Sequence, residues 1–564
     1  MPKVIGIGKQ RYDRIIENDG FYIDKTMFIK EWWENQDDVT LITRPRRFGK
    51  TLNMDMLKCF FSNEYKDRGD LFEGLDIWKE EKYRKIQGTY PVIFLSFAKI
   101  KQNTYEDAVA GIKRIICDEI QKYIFLKDWD GLADAEKNNL KNITYGMDDV
   151  TAQEAIASLS NYLSRYYGKN VIILLDEYDT PMQEAYVNGY LEELVSFTRS
   201  FFNATFKSNL YLERAVITGI TRVSKESIFS DLNNLKVITV ESDEYSDTFG
   251  FSEEEVFLAL DDFNLSDKKQ IVKEWYDGFT FGSQRDIYNP WSIINFLENK
   301  KIDTYWADTS SNSLINHLIK KSVPEIKELM ELLLKRESIE VTFDDQIVFN
   351  QLDKSKNAIW SLLVASGYLK IDDIEYKGLL LKPWYHISIT NLETVSMFAN
   401  MFAGWFENPD ARYNDFIKSL LNNDLKGMNY YMNKVALATF SYFDTGKNPS
   451  ETLEPERFYH GFVLGLIVEL SDRYEVKSNR ESGFGRYDVM IIPLDKSEKA
   501  IVLEFKVHEN DEEKTLEETV SSALAQIEEK KYDTELINAG VKKENIRHYG
   551  FAFEGKKVLI GTDE

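Results

Sequence analysis

The sequence predicts an α/β protein, with a parallel sheet and crossover helices in the N-terminal half and a second, small α/β domain at the C-terminal end. Two observations predict this organisation. Apolar, β-branched runs alternate with amphipathic helical patterns over residues 1–250, as strands joined by crossover helices require. Residues 451–564 then contain a compact succession of helix, two strands, helix and strand.

The predicted strands of the first half are the apolar runs between the helical patterns. The strands are Val39–Thr43, Pro91–Phe97, Val171–Leu175 and Arg214–Gly219, and the clearest helices are Thr151–Tyr167 and Leu191–Phe206. Val171–Leu175 is apolar at every position, as expected for a strand that is covered on both faces. Residues 1–250 are therefore predicted to form the core of a parallel sheet.

Helical patterns dominate residues 251–450. The first region, 251–320, begins with the capping sequence Ser252-Glu253-Glu254-Glu255. Residues 321–450 are predicted to be a helical connector, in which Ser361–Leu369 and the strand-like pieces after it are compatible with a winged helix. The elements predicted for the domain at 451–564 are a helix at Arg457–Leu470, strands at Tyr487–Ile492 and Ala500–Phe505, a helix at Leu516–Lys531 and a strand at Gly550–Phe553.

Composition narrows the class of protein. The net charge is −24, so any nucleic-acid contact must come from local basic clusters in an acidic body. The five histidines are scattered without zinc-ligand spacing, and the two cysteines, Cys59 and Cys117, indicate a reducing compartment. No apolar run approaches the roughly 20 residues that cross a bilayer, and the start lacks a signal-peptide pattern. We expect a cytoplasmic, bacterial-type protein without membrane contact.

A glycine-lysine-threonine sequence follows the first predicted strand and opens a helical pattern, which is the context of a phosphate-binding loop. Gly49 would let the backbone approach phosphate groups, Lys50 would reach the terminal phosphates, and Thr51 would bind Mg²⁺. Arg44 stands where this loop pattern has its first glycine, and Pro45 lacks a backbone donor. The alternative interpretation is a basic turn that caps a helix.

Two carboxylates end the strand Val171–Leu175. Asp176 is placed to hold a hydrated Mg²⁺, and Glu177 is placed to orient and polarise an attacking water. Such a pair is common in solvated turns, but its occurrence after the phosphate-binding loop favours ATP binding and hydrolysis. The next strand ends in Thr218 and is followed by Arg222. These two residues are candidates for a phosphate sensor and an arginine finger, or for simple capping of the strand.

Most of residues 5–310 resemble the AAA-ATPase-like family. The segments that carry this resemblance are Tyr22–Thr26, Thr43–Thr51, Leu175–Asp179, Thr218–Ile220, Phe229–Asn234, Phe249–Phe251 and Tyr288–Ser292. The resemblance implies an AAA-like fold in which 251–320 is a helical lid, and the arginine at position 44 is this family's own variant. The implied nucleotide site consists of Arg47, Phe48, Gly49, Lys50, Thr51, Leu52 and Asp176. Thr51 and Asp176 would bind Mg²⁺, and Glu177 would be catalytic.

A second group of charged residues lies in the C-terminal domain. Asp488 is expected to begin one strand, and Glu504 and Lys506 lie on the next. Because side chains alternate along a strand, Glu504 and Lys506 project from the same face. Asp488 on a neighbouring strand would complete a site for a hard divalent cation, to which the Phe505 carbonyl could add a ligand. The alternative is the alternating charge of a solvated edge strand.

Residues 455–555 resemble the PD-(D/E)xK nuclease superfamily. Asp488, Glu504 and Lys506 match its catalytic residues, Glu481 matches an acidic position that adds a metal ligand, and Gln526, with Tyr532, matches an element of recombination-type nucleases that supports the site. The resemblance implies a restriction-endonuclease-like fold and cleavage of DNA or RNA with Mg²⁺ or Mn²⁺.

The sequence as a whole predicts an AAA-like ATPase coupled to a metal-dependent nuclease, with ATP and DNA or RNA as partners and a homo-oligomer as an open possibility. The alternative is a regulatory or binding protein, in which nucleotide acts as a switch and the nuclease-like domain is inactive.

Overall fold

The computed structural model describes residues 3–221, 228–229, 232–306, 315, 318, 324–334, 336–343, 357–398, 413–439, 463, 467, 470, 473–482, 485–508, 513–554 and 557–563. The chain divides into two compact units, Met1–Ile315 with Ser338–Thr394, and Asn316–Glu337 with Val395–Glu564. Within the described ranges, no helix is long and apolar enough to cross a membrane. The sequence-based domain boundaries at residues 250, 320 and 450 stay predictions.

A five-stranded parallel sheet lies at the centre of the first unit. Its strands are β1 (Val39–Thr43), β2 (Val92–Ser96), β3 (Val171–Asp176), β4 (Leu212–Gly219) and β5 (Leu235–Ile238). The strand order is β2-β3-β4-β1-β5, with every neighbouring pair parallel. Every residue of β1 and β3 is buried, as their apolar sequences predict. The predicted parallel α/β sheet is confirmed.

Helices connect these strands. They are α1 (Tyr12–Glu17), α2 (Met27–Asn35), α3 (Lys50–Phe61), α4 (Glu81–Arg84), α5 (Tyr105–Gln121), α6 (Asp134–Asn142), α7 (Asp149–Tyr167), α8 (Thr180–Asn188) and α9 (Leu191–Phe202). The ends of α7 illustrate why they form where they do. The Asp148 side chain accepts a hydrogen bond from the Thr151 N–H at the start, and Gly168, with φ of 70°, ends the helix.

Up to residue 306, the region expected to be a helical lid contains three α-helices and a small antiparallel sheet. Its elements are β6 (Phe251–Ser252), α10 (Glu253–Asp262), α11 (Lys269–Tyr276), β7 (Phe279–Phe281), β8 (Gln284–Tyr288) and α12 (Pro290–Asn299). The predicted cap is present, because Ser252 and Glu255 exchange side chain-to-backbone hydrogen bonds. The three strands were not predicted, since none is longer than five residues.

Further along the chain lie α13 (Pro324–Leu334), β9 (Ile339–Val341), α14 (Ala358–Ala365), β10 (Leu369–Lys377) and β11 (Lys382–Ile389). The last two strands form an antiparallel hairpin in a sheet of order β10-β11-β9. A helix and a hairpin therefore occupy the region around Ser361–Leu369, and the winged helix stays a prediction.

The second unit contains a five-stranded mixed sheet. Its elements are α15 (Tyr413–Leu421), α16 (Leu425–Thr439), β12 (Tyr474–Ser482), β13 (Gly485–Pro493), β14 (Ala500–Val507), α17 (Leu516–Lys530), α18 (Asp533–Asn538), β15 (Ile546–Glu554) and β16 (Lys557–Thr562). The strand order is β12-β13-β14-β15-β16, in which β14 and β15 are parallel and the other pairs antiparallel. The predicted small α/β domain is confirmed, while the predicted helix Arg457–Leu470 falls largely outside the described residues.

Candidate active sites

The candidate phosphate-binding loop joins β1 to α3. Arg47 and Gly49 have φ angles of 66° and 79°, so the chain turns twice through the left-handed region before the helix begins at Lys50. A Cβ atom at Gly49 would meet no atom within 4 Å. Glycine is therefore favoured there by its backbone conformation, and the open space beside it leaves room for a phosphate group.

Lys50 is buried at the first turn of α3. Its ammonium group donates hydrogen bonds to the carbonyl oxygens of Arg44, at 2.8 Å, and Pro45, at 2.7 Å. Burial lowers the pKa of Lys50 to about 8, and the negative charges of Glu177 and Asp176 oppose that shift. The loop thus holds a cation whose charge is incompletely compensated, as the binding of an anion requires.

The phosphate-binding loop contacts the end of β3 at Asp176. The Thr51 hydroxyl donates to its Oδ2 atom at 2.8 Å, and the Thr218 hydroxyl donates to its Oδ1 atom at 2.6 Å. Burial raises the pKa of Asp176. A buried carboxylate beside an alcohol oxygen offers the hard donors that Mg²⁺ prefers, so these residues fit that ion. The Thr218 hydroxyl is bonded to Asp176, and Arg222 lies outside the described residues.

Glu177 and Asp179 follow the strand but have different surroundings. Glu177 is half-buried, has a φ of 53°, and accepts a hydrogen bond from the Thr180 hydroxyl at 3.2 Å. Asp179 is buried, and its Oδ2 atom accepts from the backbone N–H groups of Ile220, at 3.0 Å, and Thr221, at 2.9 Å. Asp179 therefore anchors the segment after β4, and Glu177 is the more exposed of the two carboxylates.

A cavity of about 640 Å³ opens on the loop, within the usual size range of ligand pockets. Six basic side chains line it, namely Lys9, Lys25, Arg46, Arg47, Lys50 and Lys101. Two acidic side chains line it, Glu177 and Glu184. This excess of positive charge in a chain of net charge −24 indicates an anionic ligand.

The predicted nucleotide residues Arg47, Phe48, Gly49, Lys50, Thr51 and Leu52 all border this cavity. Asp176 lies behind Thr51, which contacts it. The Phe48 ring is buried against Phe279 and Phe281, with ring centroids 4.8 Å and 5.4 Å away. Phe48 therefore fixes the loop on the small sheet of the lid, and its ring belongs to the core.

Arg44 has a structural role that the sequence analysis missed. It is fully buried, and its guanidinium group donates to the carbonyl oxygens of Thr43, at 3.0 Å, and Thr239, at 2.7 Å. The same group lies 4.5 Å from the centre of the Phe281 ring, and burial lowers the pKa of Arg44 to about 9. Arg44 thus connects the start of the phosphate-binding loop to the segment that follows β5 through hydrogen bonds.

The second candidate site lies where β13 and β14 separate. The described pairing of these strands ends at Val489 and Leu503, and beyond it the Asp488 Oδ2 atom accepts a hydrogen bond from the Phe505 N–H at 2.8 Å. Asp488 was expected to begin its strand, but β13 begins three residues earlier, at Gly485. Its carboxylate is thereby held at the fork, next to the strand that carries Glu504.

Glu504 is 2% exposed and accepts a hydrogen bond from the Gln526 side chain on α17. The same Gln526 amide nitrogen lies 3.3 Å from the Tyr532 hydroxyl. Burial, together with the charges of Glu504 and Asp488, raises the pKa of Tyr532 to about 12, and the hydrogen bond with Gln526 opposes that shift. The structure therefore brings these four residues together, with Tyr532 directly after α17 rather than on it.

Lys506 shares the face of β14 that carries Glu504. On this face Val502 packs with Ile527 of α17, whereas Leu503 and Phe505 belong to the core on the opposite face. Glu504 and Lys506 therefore lie on the face of β14 that packs against α17; the sequence predicted the shared face. Glu481 lies on β12 opposite Arg486, but its side chain is outside the described part of the structure. Asp488 and Glu504 are two oxygen donors side by side, which fit Mg²⁺ or Mn²⁺.

Comparison with known protein families agrees with both sites. Residues 6–229 match the family model of the AAA-ATPase-like family, described as a predicted AAA-ATPase. Residues 454–563 match the model of the PD-(D/E)XK nuclease superfamily. The chain therefore combines an AAA-ATPase-like domain, with its P-loop fold, and a PD-(D/E)XK nuclease superfamily domain, as the sequence predicted.

Two individual proteins are also similar. A protein of Azotobacter chroococcum mcd 1, described as an uncharacterized protein in the vnfD 5′ region, is 24% identical over 504 residues, which are 87% of each chain. A solved structure of a Signal Transduction ATPase with Numerous Domains protein with a tetratricopeptide repeat sensor, from Pyrococcus horikoshii, is 12% identical with a TM-score of 0.23. That match covers 83% of this chain and 54% of the other, so the chain spans about half the length of that protein.

Proposed function

We propose that this protein hydrolyses ATP in its first unit and that this cycle controls a metal-dependent nuclease in its second. The contact of Thr51 with Asp176, at 2.8 Å beside a cavity lined by six basic side chains, carries the proposal for ATP. The juxtaposition of Asp488, Glu504 and Gln526 supports the proposal for the nuclease. DNA or RNA is the proposed substrate.

In the ATPase step, Lys50 and the N–H groups at the start of α3 bind the phosphates, and Glu177 orients the attacking water. The water oxygen bonds to the γ-phosphorus, the bond from that phosphorus to the bridging oxygen breaks, and ADP leaves with the electron pair. The proton that the water loses passes to Glu177 and then to solvent. Mg²⁺ held through Thr51 and Asp176 would supply positive charge to the phosphate oxygens.

In the nuclease step, Asp488 and Glu504 would hold a divalent cation, which would supply positive charge to the phosphodiester and make the attacking water more acidic. Gln526 keeps the Glu504 carboxylate in place through its hydrogen bond. Lys506 positions the water or helps to deprotonate it. Water adds to the phosphorus of the phosphodiester, and the bond from phosphorus to one sugar oxygen breaks, which leaves a phosphate on one fragment and a hydroxyl on the other.

A second candidate function is a nucleotide-controlled regulatory protein with an inactive nuclease-like domain. The net charge of −24 favours it, because an acidic body repels the phosphate backbone of a nucleic acid. In that case nucleotide binding would change a contact with another protein, and cleavage would be absent.

The two candidates differ in cleavage. We would incubate the purified protein with single-stranded and double-stranded DNA and with RNA, in Mg²⁺ or Mn²⁺, with and without ATP. The proposed function predicts ATP turnover and cleavage in the wild type, and ATP binding without turnover in Glu177→Gln. Cleavage of no substrate under any condition would refute the nuclease proposal and favour the regulatory protein.

A further inference from the structure

Two adjacent arginines in the phosphate-binding loop point to different parts of the first unit. The Arg46 guanidinium donates to the Gln183 side-chain oxygen on α8 at 3.3 Å. The Arg47 guanidinium lies 4.5 Å from the centre of the Trp291 ring on α12. The left-handed backbone of Arg47 separates these directions. Arg46 thus faces the side that carries Glu177, and Arg47 faces the lid.

The partner of Arg46 is itself held in a defined orientation. The Gln183 amide nitrogen donates to the Asp179 Oδ2 atom at 3.0 Å, so its oxygen is presented to Arg46. Asp179 is fixed in turn by the backbone of Ile220 and Thr221. The backbone of Arg46 is also held, because the Asn289 side chain donates to its carbonyl oxygen at 3.3 Å. Arg46 is therefore held at its guanidinium group by Gln183 and at its backbone by Asn289.

Arg46 borders the place where a terminal phosphate would bind. It lines the cavity together with Lys50 and Glu177, which the proposed function assigns to the γ-phosphate and to the attacking water. Its charge is close enough to Lys50 to contribute to the lowered pKa of that residue. The hydrogen bond to Gln183, at 3.3 Å, is long and its acceptor is neutral, so charge-assisted bonds to phosphate oxygens would replace it readily.

We propose that Arg46 is the arginine that stabilises the charge of the γ-phosphate during hydrolysis, supplied by the phosphate-binding loop of the same chain. This inference rests on the proposed ATPase. Before nucleotide binds, Gln183, itself held by Asp179, keeps the guanidinium group beside the site. When nucleotide binds, the guanidinium group leaves Gln183 and donates hydrogen bonds to two oxygens of the transferred phosphate. Arg222, which the sequence suggested as an arginine finger, is not needed for this arrangement.

The test compares Arg46 with Lys101, another basic residue that lines the same cavity. Arg46→Ala should lower kcat by roughly 10³-fold or more, the usual contribution of such an arginine, while the Kd for ATP changes less than tenfold. Arg46→Lys should stay impaired, because an ammonium group lacks the planar fork that binds two oxygens. Lys101→Ala removes a positive charge from the same cavity, at an exposed residue outside the nucleotide site, and should retain kcat. Aluminium fluoride with ADP mimics the phosphate during its transfer. Variants that retain Arg46 should form a stable complex with these two compounds, and variants in which Arg46 is replaced should not.

Each result decides the inference. A kcat of Arg46→Ala within threefold of wild type would overturn it and leave the ATPase intact, and so would an equal loss of kcat in Lys101→Ala. A wild type that binds ATP but never hydrolyses it would overturn the proposed ATPase and this inference together. ATP affinity serves as the measure of folding in every variant. If Arg46→Ala fails to bind ATP, the neutral and larger Arg46→Gln replaces it, with the same expected loss of kcat.

Discussion

At the scale of single residues, Arg44 shows how a departure from the usual loop pattern can stabilise the loop. Replacing Arg44 with glycine should lower the free energy of unfolding by about 2–4 kcal/mol, because buried carbonyl oxygens lose a charged donor. Arg47→Gly is the matched control. Arg47 is exposed with φ of 66°, so the same substitution there should be neutral or stabilising. Urea unfolding measures both, and an equal effect of the two substitutions would contradict this assignment.

Lys50 predicts a pH dependence of nucleotide affinity. Its pKa is lowered to about 8 in the free protein, whereas bound phosphate would favour the charged ammonium. Below pH 8 the charge is already present, and above pH 8 binding must take up a proton. The Kd for ATP should therefore rise above pH 8, by up to about tenfold per pH unit. Calorimetry at pH 7, 8 and 9 in two buffers measures affinity and proton uptake. An equal affinity at all three values would exclude this role of Lys50.

At the scale of elements, strands with a strong apolar or β-branched pattern were predictable and strands without one were not. The bounds of β1 were predicted to the residue and those of β3 to within one, because both are buried strands that consist mainly of apolar or β-branched residues. The edge strands β5 and β12 were missed. β5 has four residues, of which only Ile238 is buried, and β12 is largely polar, so neither shows a strong apolar pattern.

The candidate site residues were also predictable only where a local sequence pattern marks them. Short-range patterns identified Gly49 to Thr51 and the pair Glu504 and Lys506, since each lies within one loop or strand. Contacts between distant elements could not be predicted, because they depend on how helices and strands pack. The bond of Asp488 to the Phe505 N–H and that of Arg46 to Gln183 are of this kind.

The contact of α17 with β14 leads to a prediction for the nuclease site. Gln526→Ala removes the hydrogen bond that holds Glu504, so we expect the Mn²⁺ concentration needed for half-maximal cleavage to rise roughly 10–100-fold. The maximal rate at saturating Mn²⁺ should be largely retained. Ser522→Ala, at an exposed position of the same helix, is the control and should change neither quantity. An unchanged Mn²⁺ requirement in Gln526→Ala would show that Glu504 does not depend on Gln526.

At the scale of the whole molecule, the candidate sites belong to separate units, each with its own sheet. Asp488→Ala or Glu504→Ala should therefore abolish cleavage without lowering ATP turnover. One carboxylate is too few to hold the cation, and the remaining acidic site repels the substrate.

Lys506→Ala should slow cleavage and retain metal binding, because the ammonium group of Lys506 acts on the water rather than on the cation. Substrate binding itself should require the divalent ion in a chain of net charge −24. Cleavage rates, Mn²⁺ binding and ATP turnover, measured on each variant, test these expectations together, and cleavage at the wild-type rate in both carboxylate variants would exclude this site.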